Sequence, residues 1–219
     1  MTTYPLEAPS GCYPNRRRPS TIEPMGFSNR SAPPATTPDE RVFIGASYLD
    51  LAEADADFEA LRQSWVDLCA AADFDAVTIG RKASGEVRFH REPDRSQGSV
   101  AGDHAAPSLA AGLGAALFPS VAADIPVGRL EEREILGTVA GVVAIALGRS
   151  GLSEFGDQLD SSSAGLIAVG TAEQQDRIRT ALTNAHATIA RVGSVDVERI
   201  VQTTDRVHRA ASKRRRTTP

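Results

Sequence analysis

Cysteine is almost absent. Cys12 and Cys69 are the two in 219 residues, too few for a disulfide framework or a thiolate-ligated metal. Aromatic side chains make up 5 % of the chain, with a single Trp, so any core must be built from Ala, Val, Leu and Ile. A net charge of −4 excludes a wholesale nucleic-acid coat. The four histidines, His90, His104, His186 and His208, never stand at His-x-x-x-His or Cys/His ligand spacing. Ser161-Ser162-Ser163 lacks the flanking glycines of a hydrolase nucleophile elbow. Gly45, Gly80, Gly165, Gly170 and the pair Gly112-x-Gly114 compose no dinucleotide or Walker fingerprint. Met1 to Gly11 holds no apolar segment, so no secretory leader is expected.

The charge that is present is unevenly placed. Residues 1–40 hold four Arg against four acids and cancel, whereas residues 205–219 hold six cations against Asp205, a sum of +5. Residues 41–204 therefore carry −9. An acidic body with a basic end can meet a polyanion only through that end. Its candidate contacts are Arg206, Arg209, Lys213, Arg214, Arg215 and Arg216. No aromatic interleaves with them, which leaves salt-sensitive contact with phosphates or anionic headgroups and no base stacking.

Eight of the 13 prolines fall in residues 1–40 with no apolar periodicity. This predicts a disordered arm, with folding from Arg41. Ser20, Thr21, Thr36 and Thr37 in that arm are modifiable positions. Val42–Tyr48 reads as a strand. Asp50 and Glu53 form a capping box opening a helix whose apolar stripe is Phe58, Leu61, Trp65, Leu68 and Ala72. Ala76–Gly80 and Glu86–His90 alternate as a hairpin about Ala83-Ser84-Gly85, with Arg81, Lys82, Arg88 and Arg91 guarding an edge. Ser163–Gly170 is a continuous apolar run and a buried strand. Thr171 with Gln174 opens a second helix with the stripe Ile178, Leu182, Ala185 and Ile189. Val195, Val197 and Val201 then alternate as a closing strand, and residues 205–219 should fray as a basic flexible tail.

Two strand–helix–strand units give an α+β fold, a split βαβ (ferredoxin-like) antiparallel sheet with two long helices on one face. This domain spans 41–204 and carries an insertion at 103–160. Ala105–Ala123 is uncharged over nineteen residues and Ile135–Gly148 over fourteen. In the second run Ile135, Val139, Val142, Val143 and Ala146 share one helical face. Gly137, Gly141, Ala144 and Gly148 share another, predicted to press on the 108–118 helix. Fourteen helical residues span about 21 Å against a hydrocarbon core of roughly 30 Å. A helical hairpin in a core or oligomer interface therefore fits better than a membrane span.

The strand Val42–Tyr48, the helix Leu51–Ala72, Ala76–His90, the Gly/Ala block 109–148 and Leu159-Asp160-Ser161-Ser162-Ser163-Ala164-Gly165-Leu166-Ile167, followed by the Thr171–Ala190 helix, stand in a familiar order. In this the chain resembles a bacterial family of ferredoxin-like α/β proteins with a Gly/Ala-rich helical insertion. Members are sometimes loosely labelled membrane or stress proteins, and their function is unknown. The resemblance covers roughly residues 41–204 and implies no catalytic residue. The block is poorer in Phe, Leu and Trp than a membrane label requires.

Acidic groups such as Asp55, Asp57 and Glu59, Glu131, Glu132 and Glu134, or Asp157 and Asp160 fall at helix starts or on polar faces. Exposed amides and solvent account for them there. Cys69, on the Trp65 side of the first helix, is expected to be buried among apolar groups and inert. No catalytic, cofactor-binding or metal-binding residue is expected and no cofactor is implied. The reading is a cytoplasmic, non-enzymatic regulatory or stress-associated protein acting through protein contacts, as a homodimer or with a protein partner. The alternatives are a peripheral membrane protein using the insertion and tail, a non-specific nucleic-acid binder using the tail, and an enzyme or small-ligand binder.

Overall fold

The computed structural model describes residues 39–66, 75–91, 108–123 and 130–217. The arm and its Ser and Thr positions lie outside them, apart from residues 39 and 40, as do Cys12, Asp67, Leu68, Cys69, Ala72 and His104. The described chain is a mixed α+β structure of five strands and six helices. In chain order these are β1 (Asp39–Tyr48), α1 (Leu51–Val66), β2 (Asp75–Arg81), β3 (Val87–Arg91), α2 (Leu109–Leu117) and α3 (Pro119–Ala123). Then follow α4 (Leu130–Asp160), β4 (Ala164–Gly170), α5 (Gln175–Ala181), β5 (Ala187–Val195) and α6 (Val197–Thr217). The sheet order is β3-β2-β4-β1-β5, with every neighbouring pair antiparallel.

Strand alternation divides the core in two. From the central strands Val42, Ile44, Ala46, Tyr48, Leu166 and Ala168 point to one face, where they meet Phe58, Leu61 and Trp65 of α1 and Ile178 of α5. Phe43, Val77, Ile79, Ile167 and Val169 point to the other, against α2, α4 and Ile200 of α6. Both faces of β4 are buried along its whole length, which explains its unbroken apolar run. The second face is thus covered by helices of the chain itself.

Several boundaries differ from expectation. β1 begins at Asp39, paired with Val195, two residues before Arg41. The second helix is short: after a 3-10 turn over Ala172–Gln174, α5 stops at Ala181. Leu182 then forms its cap, and Ile189 belongs to β5. The chain leaves the helix because Asn184 is captured by Asp57 from α1, through its backbone N–H at 3.0 Å and its Nδ2 at 2.7 Å. The expected closing strand over Val195–Val201 is also displaced. Asp196 Oδ1 accepts from the Arg199 N–H at 2.9 Å and starts a helix, so Val197 and Val201 are helical. That helix continues to Thr217 where fraying was expected.

The contact between α2 and α4 is reversed from the expected one. Among the described residues, a Cβ at Gly137, Gly141 or Gly148 would meet nothing within 4 Å. Gly137 and Gly141 are exposed and Ala144 is half-buried. Val139, Val142 and Val143 form the packed face of α4 instead. The close approach comes from the other helix, where a Cβ on Gly112 would stand 2.4 Å from Val139 Cγ1. Gly148, at φ 66°, breaks α4 into two helical segments. Asp75, at the start of β2, accepts from the Leu109 N–H at 2.7 Å and the Ala110 N–H at 3.3 Å. It thereby satisfies amides that a helix start leaves unpaired.

Candidate functional site

The candidate site is the outer face of α6. Asp196 caps its start, and Thr204 returns its hydroxyl to the Ile200 carbonyl at 2.9 Å. Ile200, Thr204 and Val207, at intervals of four and three, are buried and lie on the side turned to α4. Arg199, Arg206, Arg209 and Lys213, at intervals of seven, three and four, are exposed. A helix advances 100° per residue, which places these cations opposite the buried row. Arg214, Arg215 and Arg216 continue the same helix. All seven cations therefore belong to one element about 30 Å long.

Arg209 lies 3.5 Å from Asp205, one turn earlier, with 82 % of its side chain exposed. Such a contact is weak in solvent. His208 faces Glu131 of α4 at 3.9 Å. Arg206 has no ion-pair partner among the described residues. The macrodipole also favours cations near the helix C-terminus. Because Ile200 and Val207 are spent on α4, the exposed side of α6 offers a partner mainly charge and hydrogen-bond donors, with Val201 as its exposed aliphatic side chain. Comparison of the chain with family models, curated proteins and solved structures gives no match in any of the three.

The remaining sequence candidates are scattered. His90 Nε2 lies 3.1 Å from Asp55 Oδ2, and the same carboxylate meets Arg91 Nε at 3.5 Å and the Thr78 hydroxyl at 3.3 Å. This cluster ties the β3 edge to α1. Glu59 sits below the usual carboxylate range because the Arg62 guanidinium donates to it, with added help from the Arg62 and Arg91 charges. Glu86 is lowered by hydrogen bonds first from Arg88 and then from Lys82. The His186 N–H donates to the Ser47 carbonyl at 2.9 Å, and Ser162 Oγ to that of Leu159. Among the described residues no group of three or more His, Cys, Asp or Glu is placed to hold a metal. A cleft between the β2–β3 hairpin and residues 159–165 has about 160 Å³ of empty space, lined by Ile79, Arg81, Val87, Leu159 and Ser162.

Sequence reasoning missed Asp57 as a core group. It is fully buried and accepts from Tyr48, Thr183 and Asn184. A signal existed: Asp57 precedes Leu61 by four residues and Trp65 by eight, so it lies within the apolar stripe of α1. Tyr48 is pushed upward from its ordinary value, first by burial, then by the Asp57 charge and the hydrogen bond to it.

Proposed function

We propose that this chain is a non-enzymatic accessory protein that works by contact, and that the outer face of α6 is the surface it uses. The observation that carries the reading is the opposition on α6 of a buried row, Ile200, Thr204 and Val207, and an exposed row, Arg199, Arg206, Arg209 and Lys213. A helix fixed by one face and cationic on the other presents charge at a defined orientation. The partner that fits is a phosphate polyanion, bound without sequence preference. Such a protein acts in the cytoplasm as a regulatory or stress-associated factor. Strands β1, β2, β4 and β5 with α1 and α5 support reading the fold as a split βαβ unit with a long helical excursion, as the bacterial family resemblance implies.

A salt titration on duplex RNA and DNA tests this. Binding is expected at low salt, with a log–log slope no steeper than roughly −6 on DNA, and its loss on deleting residues 205–219. Sequence-selective binding that survives the deletion would overturn the assignment to α6. One observation favours a second reading, contact with lipid through α4. Among the described residues Glu131–Asp160 is the one helix long and apolar enough to cross a membrane, and 22 % of its most apolar window is buried. Neutral vesicles report on it, since they do not attract α6.

A further inference from the structure

The first segment of α4 carries an outward face that no other described residue covers. Val139, Val142 and Val143 pack inward, whereas Gly137, Gly141 and Ile145 point away from the core, Ile145 with 72 % of its surface exposed. Glycine is among the poorest helix formers, and a glycine inside a helix is usually repaid by a close approach. Among the described residues none is made: none of them lies within 4 Å of a Cβ placed at either glycine. The face is a bare backbone notch followed, one turn later, by a single projecting aliphatic side chain. Its ends are charged, with Glu134 before the notch and Arg149 just past the break at Gly148. Neither has an ion-pair partner among the described residues.

We propose that this face is an interface with a second copy of the chain, in which two α4 helices cross antiparallel at Gly141 about a two-fold axis. Gly137 and Ile145 each stand four residues from Gly141. The two-fold therefore seats Ile145 of each copy over the notch at the partner's Gly137, and the small side chains let the two backbones approach closely. The same axis brings each Glu134 towards the end of the helix where the partner's Arg149 lies. A parallel arrangement would set Glu134 against Glu134 and Arg149 against Arg149, so charge selects the antiparallel one. Lipid is a poorer occupant. Ile135–Leu147 is thirteen residues, about 20 Å, bracketed by Glu131, Glu132, Arg133 and Glu134 and by Arg149, and its inner face is already packed on α2. The inference is independent of the α6 reading, since it concerns another helix.

Light scattering on the full chain over a concentration series tests it. The expected mass is twice the 23.2 kDa of one chain. Gly141→Leu and Ile145→Glu should each give a monomer with an unchanged circular dichroism spectrum, because neither position is packed in its own fold. Glu134→Arg should weaken the dimer by about tenfold, and adding Arg149→Glu should restore it. A wild-type monomer throughout, a dimer indifferent to Gly141→Leu and Ile145→Glu, or a double reversal that fails to recover would each overturn the arrangement. So would binding of monomers to neutral phosphatidylcholine vesicles that Ile145→Glu abolishes, which would give the face to lipid.

Discussion

The Tyr48 hydroxyl donates to Asp57 Oδ2 across 3.0 Å, and both residues are shielded from solvent, at 1 % and 0 % exposure. The carboxylate also accepts from the Asn184 backbone and side chain and, at 3.4 Å, from Thr183. Donors from the end of β1 and from the turn before β5 thus converge on one group of α1. Asp57→Ala would strand several buried donors at once, and a buried unpaired group costs about 1–3 kcal/mol. The expected loss is about 3 kcal/mol for Asp57→Ala and about 1.5 kcal/mol for Tyr48→Phe. Urea unfolding of both variants measures it; a loss below that of Tyr48→Phe would mean that water replaces the carboxylate.

The raised Tyr48 ionisation fixes a pH dependence. Its folded value lies above the ordinary 10.0, first through burial. Below pH about 10 the phenol is protonated in both states and its contribution is fully present. As pH rises further the unfolded chain releases the proton while the native one retains it, so stability falls. Ultraviolet titration should show the Tyr48 phenolate appearing only together with unfolding. In Tyr48→Phe the alkaline decline should be shallower.

Gly112→Ala should destabilise, because the new methyl would press into Val139 at a distance no packed Cβ tolerates. Overpacking of this kind costs about 1–3 kcal/mol. Val139→Ala alone should also destabilise, by leaving a cavity. Combined, the two should be less harmful than their sum, since each removes what the other lacks. Thermal melts of the three variants decide it, and strict additivity would separate the two positions.

Much of the fold was legible because period and burial agree in the central elements. β1, β2, β3 and β4 fall on the runs read as strands, and the Phe58, Leu61 and Trp65 stripe of α1 is the one that packs. The misreadings have a common cause. Leu182, Ala185 and Ile189 keep helical spacing, yet Asp57, more than a hundred residues away, ends the helix before them. Val195, Val197 and Val201 alternate, yet the cap at Asp196 turns two of them helical. Both outcomes are set by one polar contact, which apolar periodicity does not register. The site was legible as charge and illegible as a face. The cations were identified, but their phase relative to Ile200 and Val207 depends on where α6 begins. For the small-residue helix, the glycines were found and the wrong helix was assigned the close approach. Size alone does not tell which side of a helix looks inward.

The Arg81 N–H donates to the Ser163 carbonyl at 2.9 Å, so the chain departs from β2 and rejoins at β4 through neighbouring residues. Between these two residues the chain runs through β3, α2, α3 and α4. Lengthening or trimming that excursion would not slide β2 against β4, because their alignment is set by the strands themselves. The length of that excursion and the register of the sheet are therefore separately tunable. The excursion can drift in length and composition, as a Gly/Ala-rich stretch readily does, while the sheet keeps its register.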